Sequence, residues 1–147
     1  MGKKPKILVM RLKPNAIIPS AQTGGSVGMD LSLCGETVTI NPGERALLPT
    51  GIAVAIPAGF EGQVRPRSGL AIKHGITLLN SPGTIDSDYR GEICVITANM
   101  GNAPVTFHHG DRIAQLVIAP VVTPTIEETD KLPPTSRGAG GFGSTGK

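Results

Sequence analysis

Aromatic side chains are scarce in this sequence of 147 residues, which contains no tryptophan, one tyrosine and three phenylalanines. Proteins that bind nucleic acid by stacking its bases usually present several aromatic side chains on one face. Basic residues do not make up for this lack, because nine lysines and arginines face eleven acidic residues from residue 14 onward. The five basic residues before that point fit a solvated strand edge. The composition therefore argues against a nucleic-acid partner.

Cysteines and long apolar runs are also few. Cys34 and Cys94 are sixty residues apart, a spacing typical of neither a disulfide framework nor a zinc site. The apolar stretch near the N-terminus is short for a signal peptide and is interrupted by Pro14. No segment has the length that a transmembrane helix needs. These absences predict a cytoplasmic protein without a membrane partner.

Glycine and proline are abundant, with 20 and 13 residues, while 39% of the sequence is hydrophobic and sufficient for a core. Because both residues destabilise helix interiors, the composition predicts a turn-rich, all-β fold with at most one short helix. Short apolar or alternating segments recur between turns, as in a β-sandwich or barrel. The helix is expected after Ser68, ending near Gly75. Strands are expected at 7–12, 27–33, 37–40, 46–49, 52–57, 60–65, 76–80, 92–99, 105–108 and 113–118.

The character of the sequence changes after Val122. Residues 123–147 are rich in proline and glycine and lack apolar periodicity, which is typical of a flexible tail. We therefore predict one all-β domain over residues 1–122 and a tail over 123–147. A single aromatic residue, Phe142, stands in the glycine-rich end, which suggests that its side chain has a function.

Two apparent motifs do not support a site. The glycines at 138–143 match a dinucleotide-binding pattern, but no strand precedes them and no helix can follow. His108 and His109 are adjacent, and neighbouring side chains of a strand point to opposite faces, so they are not expected to share a metal.

Three segments combine turn residues with groups suited to phosphate chemistry. Within residues 80–92, the excursion between Pro82-Gly83 and Arg90-Gly91 carries two carboxylates and the only tyrosine. Residues 66–69 place a guanidinium and a hydroxyl beside glycine, and 110–115 read Gly-Asp-Arg-Ile-Ala-Gln. Each alone is compatible with a structural role. Five segments, at 28–31, 66–69, 83–91, 110–115 and 137–145, occur in an order that resembles the five motifs of the trimeric dUTPases, over residues 24–146.

The resemblance implies a β-jelly-roll subunit, a homotrimer and active sites shared between subunits. It also implies hydrolysis of dUTP to dUMP and pyrophosphate by attack of water on the α-phosphorus, which limits dUTP and supplies dUMP for dTMP synthesis. Such a step needs an oriented water, neutralised phosphate charge and a stabilised leaving group. The implied cofactor is Mg²⁺, bound mainly through the substrate triphosphate.

The same resemblance implies roles for individual residues in the nucleoside half of the site. Asp86 would hold and deprotonate the attacking water, as an ionised carboxylate can. Tyr89 would lie against the deoxyribose and exclude a 2′-hydroxyl, while Asn80 and the nearby backbone would pair with the uracil edge. Thr84, Ile85 and Cys94 would border the nucleoside.

Roles also follow for the phosphate half. Arg67, Ser68 and Gly69 of a neighbouring subunit would bind the phosphate chain, with Gln115 nearby. Asp30 would contact a water on the magnesium ion, and Asp111 would be structural, pairing with an arginine near the site. The tail of a third subunit would bring the remaining residues, namely Phe142 over the uracil and Arg137, Gly143, Ser144 and Thr145 to the γ-phosphate side.

Two alternatives differ in their residue requirements. A dCTP deaminase of the same fold would need a catalytic glutamate ten residues after the hairpin aspartate, where this chain has Ile96, and would lack the tail motif. A catalytically silent trimer acting as a binding module would not need the hairpin aspartate or the tail, and both are present.

Overall fold

The computed structural model describes residues 4–146. Lys3 of the basic N-terminal segment and Lys147 of the predicted tail therefore lie outside the described residues. In chain order the elements are β1 Leu8–Arg11, β2 Met29–Ser32, β3 Val38–Ile40, β4 Arg45–Pro49, β5 Ile52–Ala55, β6 Phe60–Arg65, α1 Ser68–His74, β7 Ile76–Leu78, β8 Gly83–Ile85, β9 Cys94–Asn99, β10 Val105–Phe107 and β11 Arg112–Pro120.

The strands form four small antiparallel sheets around one core. A four-stranded sheet has the order β2-β11-β6-β8 and a three-stranded sheet the order β4-β9-β7, while β1 pairs with β5 and β10 with β3. With a single helix of seven residues between residues 4 and 146, this architecture confirms the all-β fold expected from composition.

Aliphatic side chains from both larger sheets fill the core. Burying each one stabilises the fold by about 1.5–3 kcal/mol relative to exposing it. Phe107 is the buried aromatic residue of this cluster. The side chains that are almost completely buried include Leu31, Leu33, Ile40, Leu48, Ile52, Ile76, Val95, Ile113 and Leu116.

The helix α1 ends at Gly75, which has a φ of 68° in the left-handed region. A Cβ at this position would lie 2.5 Å from the backbone nitrogen of Gly101. Glycine is therefore needed both for the backbone conformation and for the close approach of the loop after β9.

The strand β11 joins the candidate site to the core. Its register with β2 shifts between Arg112 and Ala114, so that two consecutive residues, Ile113 and Ala114, are both buried. Such a bulge changes the direction of the neighbouring side chains, and it leaves Arg112 at the surface beside Asp30.

The sequence misses one strand, and of the predicted strand ranges only 60–65 matches the structure at both ends, while the others differ by one or two residues at one end or both. Residues 83–85 form a strand, β8, where only a compact excursion was expected. The turn residues Ser-Pro-Gly in this segment predict no strand, and β8 forms because tertiary contacts set its pairing with β6. The strand predicted at 27–33 spans Met29–Ser32, and β11 continues two residues past 118, to Pro120.

Residues 121–146 contain no strand or helix in the described structure. Apart from a bond of the Val121 amide to the Gly59 carbonyl, their hydrogen bonds stay within the segment. Within residues 4–146, no helix has both the length and the apolar character needed to span a bilayer.

Candidate active site

Six residues predicted to face the nucleoside line one cavity of about 370 Å³ between β8 and β9. Its wall also includes apolar side chains such as Leu47, Val64 and Ile96, and the carboxylate of Glu92. An apolar cleft with a few polar groups is typical of a small-molecule site. The six predicted residues are Asn80, Thr84, Ile85, Asp86, Tyr89 and Cys94.

The strand β8 positions Asp86 at the edge of this cavity. Pairing of β8 with β6 aligns Gly83 with Val64 and Thr84 with Gln63, and the buried side chain of Ile85 fixes the strand against the core. Asp86 follows directly and is exposed. Its carboxylate accepts no hydrogen bond from any described side chain or amide, so it is open to water.

The turn after Asp86 folds Tyr89 back onto its own backbone. The amide of Tyr89 donates to the carbonyl of Asp86 at 3.1 Å, and its hydroxyl donates to the carbonyl of Glu92 at 2.9 Å. The guanidinium of Arg90 donates to the carbonyls of Ser87 and Tyr89. These bonds fix the tip of the loop without help from the core.

Glu92 and Cys94 interact in the wall of this cavity. One carboxylate oxygen of Glu92 accepts a hydrogen bond of 3.1 Å from the backbone amide of Gly51, and the other lies 3.5 Å from the thiol sulfur of Cys94. Burial, together with the negative charge and hydrogen bond of Glu92, raises the pKa of Cys94 from 9.0 to about 11. The thiol is therefore protonated at neutral pH, and both cysteines are free in the described chain.

The predicted phosphate-binding residues line a second cavity, of about 390 Å³. The register of β2 with β11 places Asp30 opposite Gln115, and β6 leads directly into the loop that carries the other members. The predicted residues in this wall are Asp30, Arg67, Ser68, Gly69 and Gln115.

Asp30, which lines this cavity with Arg67, pairs with two guanidinium groups. Its Oδ1 lies 3.4 Å from Nε of Arg67, and its Oδ2 lies 3.5 Å from Nη1 of Arg112. Arg67 also donates to the carbonyl of Arg112 at 3.2 Å. One carboxylate thus faces two cations, which leaves a net positive charge for an anionic ligand.

Gln115 connects three of the sequence motifs. Its amide nitrogen donates to the carbonyl of Pro66 at 2.9 Å, and its side chain occupies the space that a Cβ at Gly28 would require. Gly28 therefore permits the close packing that holds Gln115 beside the phosphate-binding loop.

The prediction that Asp111 pairs with an arginine is wrong in this structure. Its carboxylate accepts a hydrogen bond of 2.7 Å from the backbone amide of His108 and lies 3.6 Å from Nδ1 of the His108 ring. The two residues are close because they form the ends of a tight turn. In the part of the chain that the structure describes, Asp30 is the carboxylate that pairs with arginine. The sequence did not single out Arg112, although it lies in a quoted motif, because spacing does not show which carboxylate it meets.

The predicted tail residues do not reach either cavity of their own chain. Arg137 donates to the carbonyl of Gly140 at 2.8 Å, and Phe142 is fully exposed with a φ of 51°, an uncommon value for a non-glycine residue. The members of this group are Arg137, Phe142, Gly143, Ser144 and Thr145, and none of them lines either cavity in this structure.

Comparisons with known proteins agree with this arrangement. The family model for dUTPase matches residues 14–146. A deoxyuridine 5′-triphosphate nucleotidohydrolase from Anaeromyxobacter sp. (strain Fw109-5) is 57% identical over 134 residues, covering 91% of this chain and 90% of the relative.

Solved structures show the same fold. A mutant dUTPase of Staphylococcus bacteriophage 80alpha with dUpNHpp has a TM-score of 0.88 at 28% identity, covering 97% of this chain and 99% of that chain. A mutant dUTPase from phage phi11 of S. aureus, described with a structural Mg(II) ion, has a TM-score of 0.79 at 26% identity, covering 86% and 97%. The chain therefore belongs to the dUTPase family.

Proposed function

We propose that this protein hydrolyses dUTP to dUMP and pyrophosphate by attack of water on the α-phosphorus. The observation that carries the proposal is the position of Asp86, whose unpartnered carboxylate borders the same cavity as Asn80 and Tyr89. A group able to activate water is thus placed beside groups suited to a base and a sugar. The relative with 57% identity is a deoxyuridine 5′-triphosphate nucleotidohydrolase.

The nucleoside would occupy the cavity between β8 and β9. The amide of Asn80 offers both a donor and an acceptor to the uracil edge, and Thr84, Ile85 and Cys94 border the same space. The ring of Tyr89 would lie against the deoxyribose and leave no room for a 2′-hydroxyl. Buried polar groups that a wrong base leaves unpaired would supply further discrimination.

Asp86 would orient the attacking water and accept its proton. The water oxygen forms a bond to the α-phosphorus, the bond from that phosphorus to the oxygen bridging to the β-phosphate breaks, and pyrophosphate leaves. The exposure of the carboxylate and the lack of a described hydrogen-bond donor support this role, because both keep it available as an acceptor.

The phosphate chain would contact Arg67, Ser68, Gly69 and Gln115. No described residue lines both cavities, so a single chain presents the nucleoside residues and the phosphate residues as two separate groups. We infer that a neighbouring subunit of a homotrimer joins the two groups into one site. The tail of a third subunit would then bring Phe142 over the base, and Arg137, Ser144 and Thr145 to the γ-phosphate, with Gly143 between them.

Magnesium would be held mainly by the substrate. Asp30 is the one carboxylate that lines the phosphate cavity among residues 4–146, and both of its oxygens face arginines. Since Mg²⁺ commonly keeps several waters and binds through substrate phosphates, these residues fit contact between Asp30 and a magnesium-bound water. When bound, the ion neutralises charge on the triphosphate.

The deaminase alternative lacks its proton carrier. Ile96 lines the nucleoside cavity, at the position where that reaction would need a glutamate, and an aliphatic side chain transfers no proton. The same cavity therefore favours hydrolysis at phosphorus over hydrolysis of the exocyclic amine. Free cysteines are compatible with a reducing compartment, and we place the enzyme in the cytoplasm.

The products formed from purified nucleotides test this function. Incubation with dUTP and Mg²⁺ should give dUMP and pyrophosphate in equal amounts, with dTTP, dCTP and UTP much slower. Release of ammonia from dCTP would instead identify a deaminase, and unchanged dUTP would indicate a binding module.

A further inference from the structure

We propose that Gly91 is a positioning residue for sugar specificity, because it leaves the space in which the Tyr89 ring folds back to the Glu92 carbonyl. This inference rests on the proposed function, since the sugar is that of the nucleotide. Gly91 itself borders neither cavity, and it would act only through Tyr89.

The space at position 91 is filled by the tyrosine ring. A Cβ on Gly91 would lie 2.5 Å from Oη of Tyr89, 2.7 Å from Cζ and 3.1 Å from Cε2. Distances this short cannot be accommodated without moving the ring, because carbon atoms in contact are normally 3.5–4.0 Å apart. The ring therefore packs directly on the peptide backbone of residue 91.

Backbone conformation does not explain the glycine. The φ of Gly91 lies outside the left-handed region, in contrast to that of Gly75. An alanine could adopt the same backbone, so the cost of a side chain at position 91 arises from its contact with Tyr89.

The ring crosses residue 91 to reach its hydrogen-bond partner. The Tyr89 hydroxyl donates to the Glu92 carbonyl at 2.9 Å, and the guanidinium of Arg90 fixes the carbonyls on the other side of the turn. Tyr89 is 46% exposed, so burial in the core does not fix the position of its ring. The orientation of the Tyr89 ring therefore depends on its contact with the backbone of residue 91 and on its hydrogen bond to the Glu92 carbonyl.

If the Tyr89 ring is to exclude a 2′-hydroxyl by steric contact, it must keep its position. A ring displaced by a side chain at residue 91 would lose the Glu92 bond and open the sugar side of the cavity. The expected result is weaker discrimination between dUTP and UTP, with a smaller effect on dUTP itself.

The dependence of the Tyr89 ring on Gly91 can be tested with three variants, namely Gly91→Ala, Tyr89→Ala and the double variant. Gly91→Ala should lower the ratio of kcat/KM for dUTP over UTP by about tenfold, well within the ~100-fold that a 1 Å misplacement can cost. In the Tyr89→Ala background the same change should alter the ratio less than about twofold, since residues acting through one contact are not additive. Tyr89→Phe, which keeps the ring and loses the bond, should lower the ratio by roughly fivefold.

Intrinsic fluorescence gives a readout that does not depend on activity. Tyr89 is the only tyrosine and the chain has no tryptophan, so emission reports this ring alone. Gly91→Ala should lower its fluorescence anisotropy, because the ring loses its tether. If the wild-type enzyme does not hydrolyse dUTP, the proposed function fails while the fluorescence still tests the position of the ring.

Gly24→Ala is the matched control, because a Cβ there meets no atom within 4 Å. It should leave both the ratio and the anisotropy unchanged, and circular dichroism should confirm that all variants fold. A Gly91→Ala protein with wild-type sugar preference and anisotropy would overturn the inference. The inference would also be overturned if Gly91→Ala lowered the ratio of kcat/KM for dUTP over UTP equally in the Tyr89→Ala background. If Gly91→Ala does not fold, an unchanged ratio in Tyr89→Phe overturns the inference.

Discussion

Nε of Arg67 lies 3.4 Å from Oδ1 of Asp30, and the two side chains are 27% and 14% exposed. The carboxylate therefore holds in place the guanidinium proposed to bind phosphate, and Arg112 shares the same carboxylate. Since this ion pair is partly buried, solvent screens it less than a surface pair. Asp30 thus has an arginine-orienting role besides its proposed contact with magnesium-bound water.

Replacing Asp30 tests that role. Asp30→Asn should raise the KM for dUTP by about tenfold, equivalent to ~1.4 kcal/mol, because Arg67 loses its ionic partner. Steady-state kinetics at constant Mg²⁺ measure the effect. Asp111→Asn is the control, since Asp111 contacts His108 rather than an arginine, and its KM should stay near the wild-type value. An unchanged KM in Asp30→Asn would contradict the orienting role.

Asp86→Asn should fold and bind nucleotide yet lose nearly all turnover. The amide cannot accept the proton of the attacking water, and loss of a general base typically lowers kcat by about 100- to 10,000-fold. Rapid-quench kinetics and calorimetric binding of a non-hydrolysable analogue separate the two effects. Asp88→Asn, two residues along the same exposed turn, should keep most activity. Normal hydrolysis by Asp86→Asn would remove the proposed role.

Alkylation of Cys94 should depend steeply on pH. Only the thiolate reacts, and a pKa of about 11 means that the rate with iodoacetamide keeps rising well beyond about pH 10, where a thiol with a pKa of 9.0 is almost fully ionised. Glu92→Gln should increase the rate at a given pH, because removing the negative charge lowers the pKa. Peptide mass spectrometry distinguishes Cys94 from the buried Cys34. A rate that reaches half of its maximum near pH 9 would show that the pKa is not raised.

Deleting residues from Arg137 onward should leave the fold intact and reduce activity steeply. Glycine-rich segments lose much backbone entropy on ordering, so this segment is expected to order only when stacking of Phe142, worth about 1–3 kcal/mol, and phosphate contacts offset that cost. The melting temperature without nucleotide should not change, and binding of a non-hydrolysable dUTP analogue should weaken more than binding of dUMP. Full hydrolysis of dUTP by the truncated protein would exclude a closing lid.

Local sequence predicts most of the strands, because apolar alternation and turn residues are properties of neighbouring positions. Local sequence does not predict the strand β8, because the three residues between Pro82 and Asp86 become a strand only by pairing with β6. The extension of β11 to Pro120 likewise depends on the partner residue Phe60.

Residue types identify the site more readily than they identify its contacts. Asn80, Asp86 and Tyr89 are near in sequence and line one cavity, as the resemblance to dUTPases implies. The partner of Asp30 is set by strand register and by the bulge at Ile113, which no sequence pattern reveals. Similarly, the reason for glycine at position 91 is a ring that folds back over it, and this is visible only in three dimensions.

Hydrolysis in water enriched in oxygen-18 tests the proposed chemistry most directly. If water attacks the α-phosphorus, as proposed for Asp86 and the residues around it, one labelled oxygen should appear in dUMP and none in pyrophosphate, as measured by mass spectrometry of both products. Label in the pyrophosphate would show attack at the β-phosphorus and would contradict the mechanism.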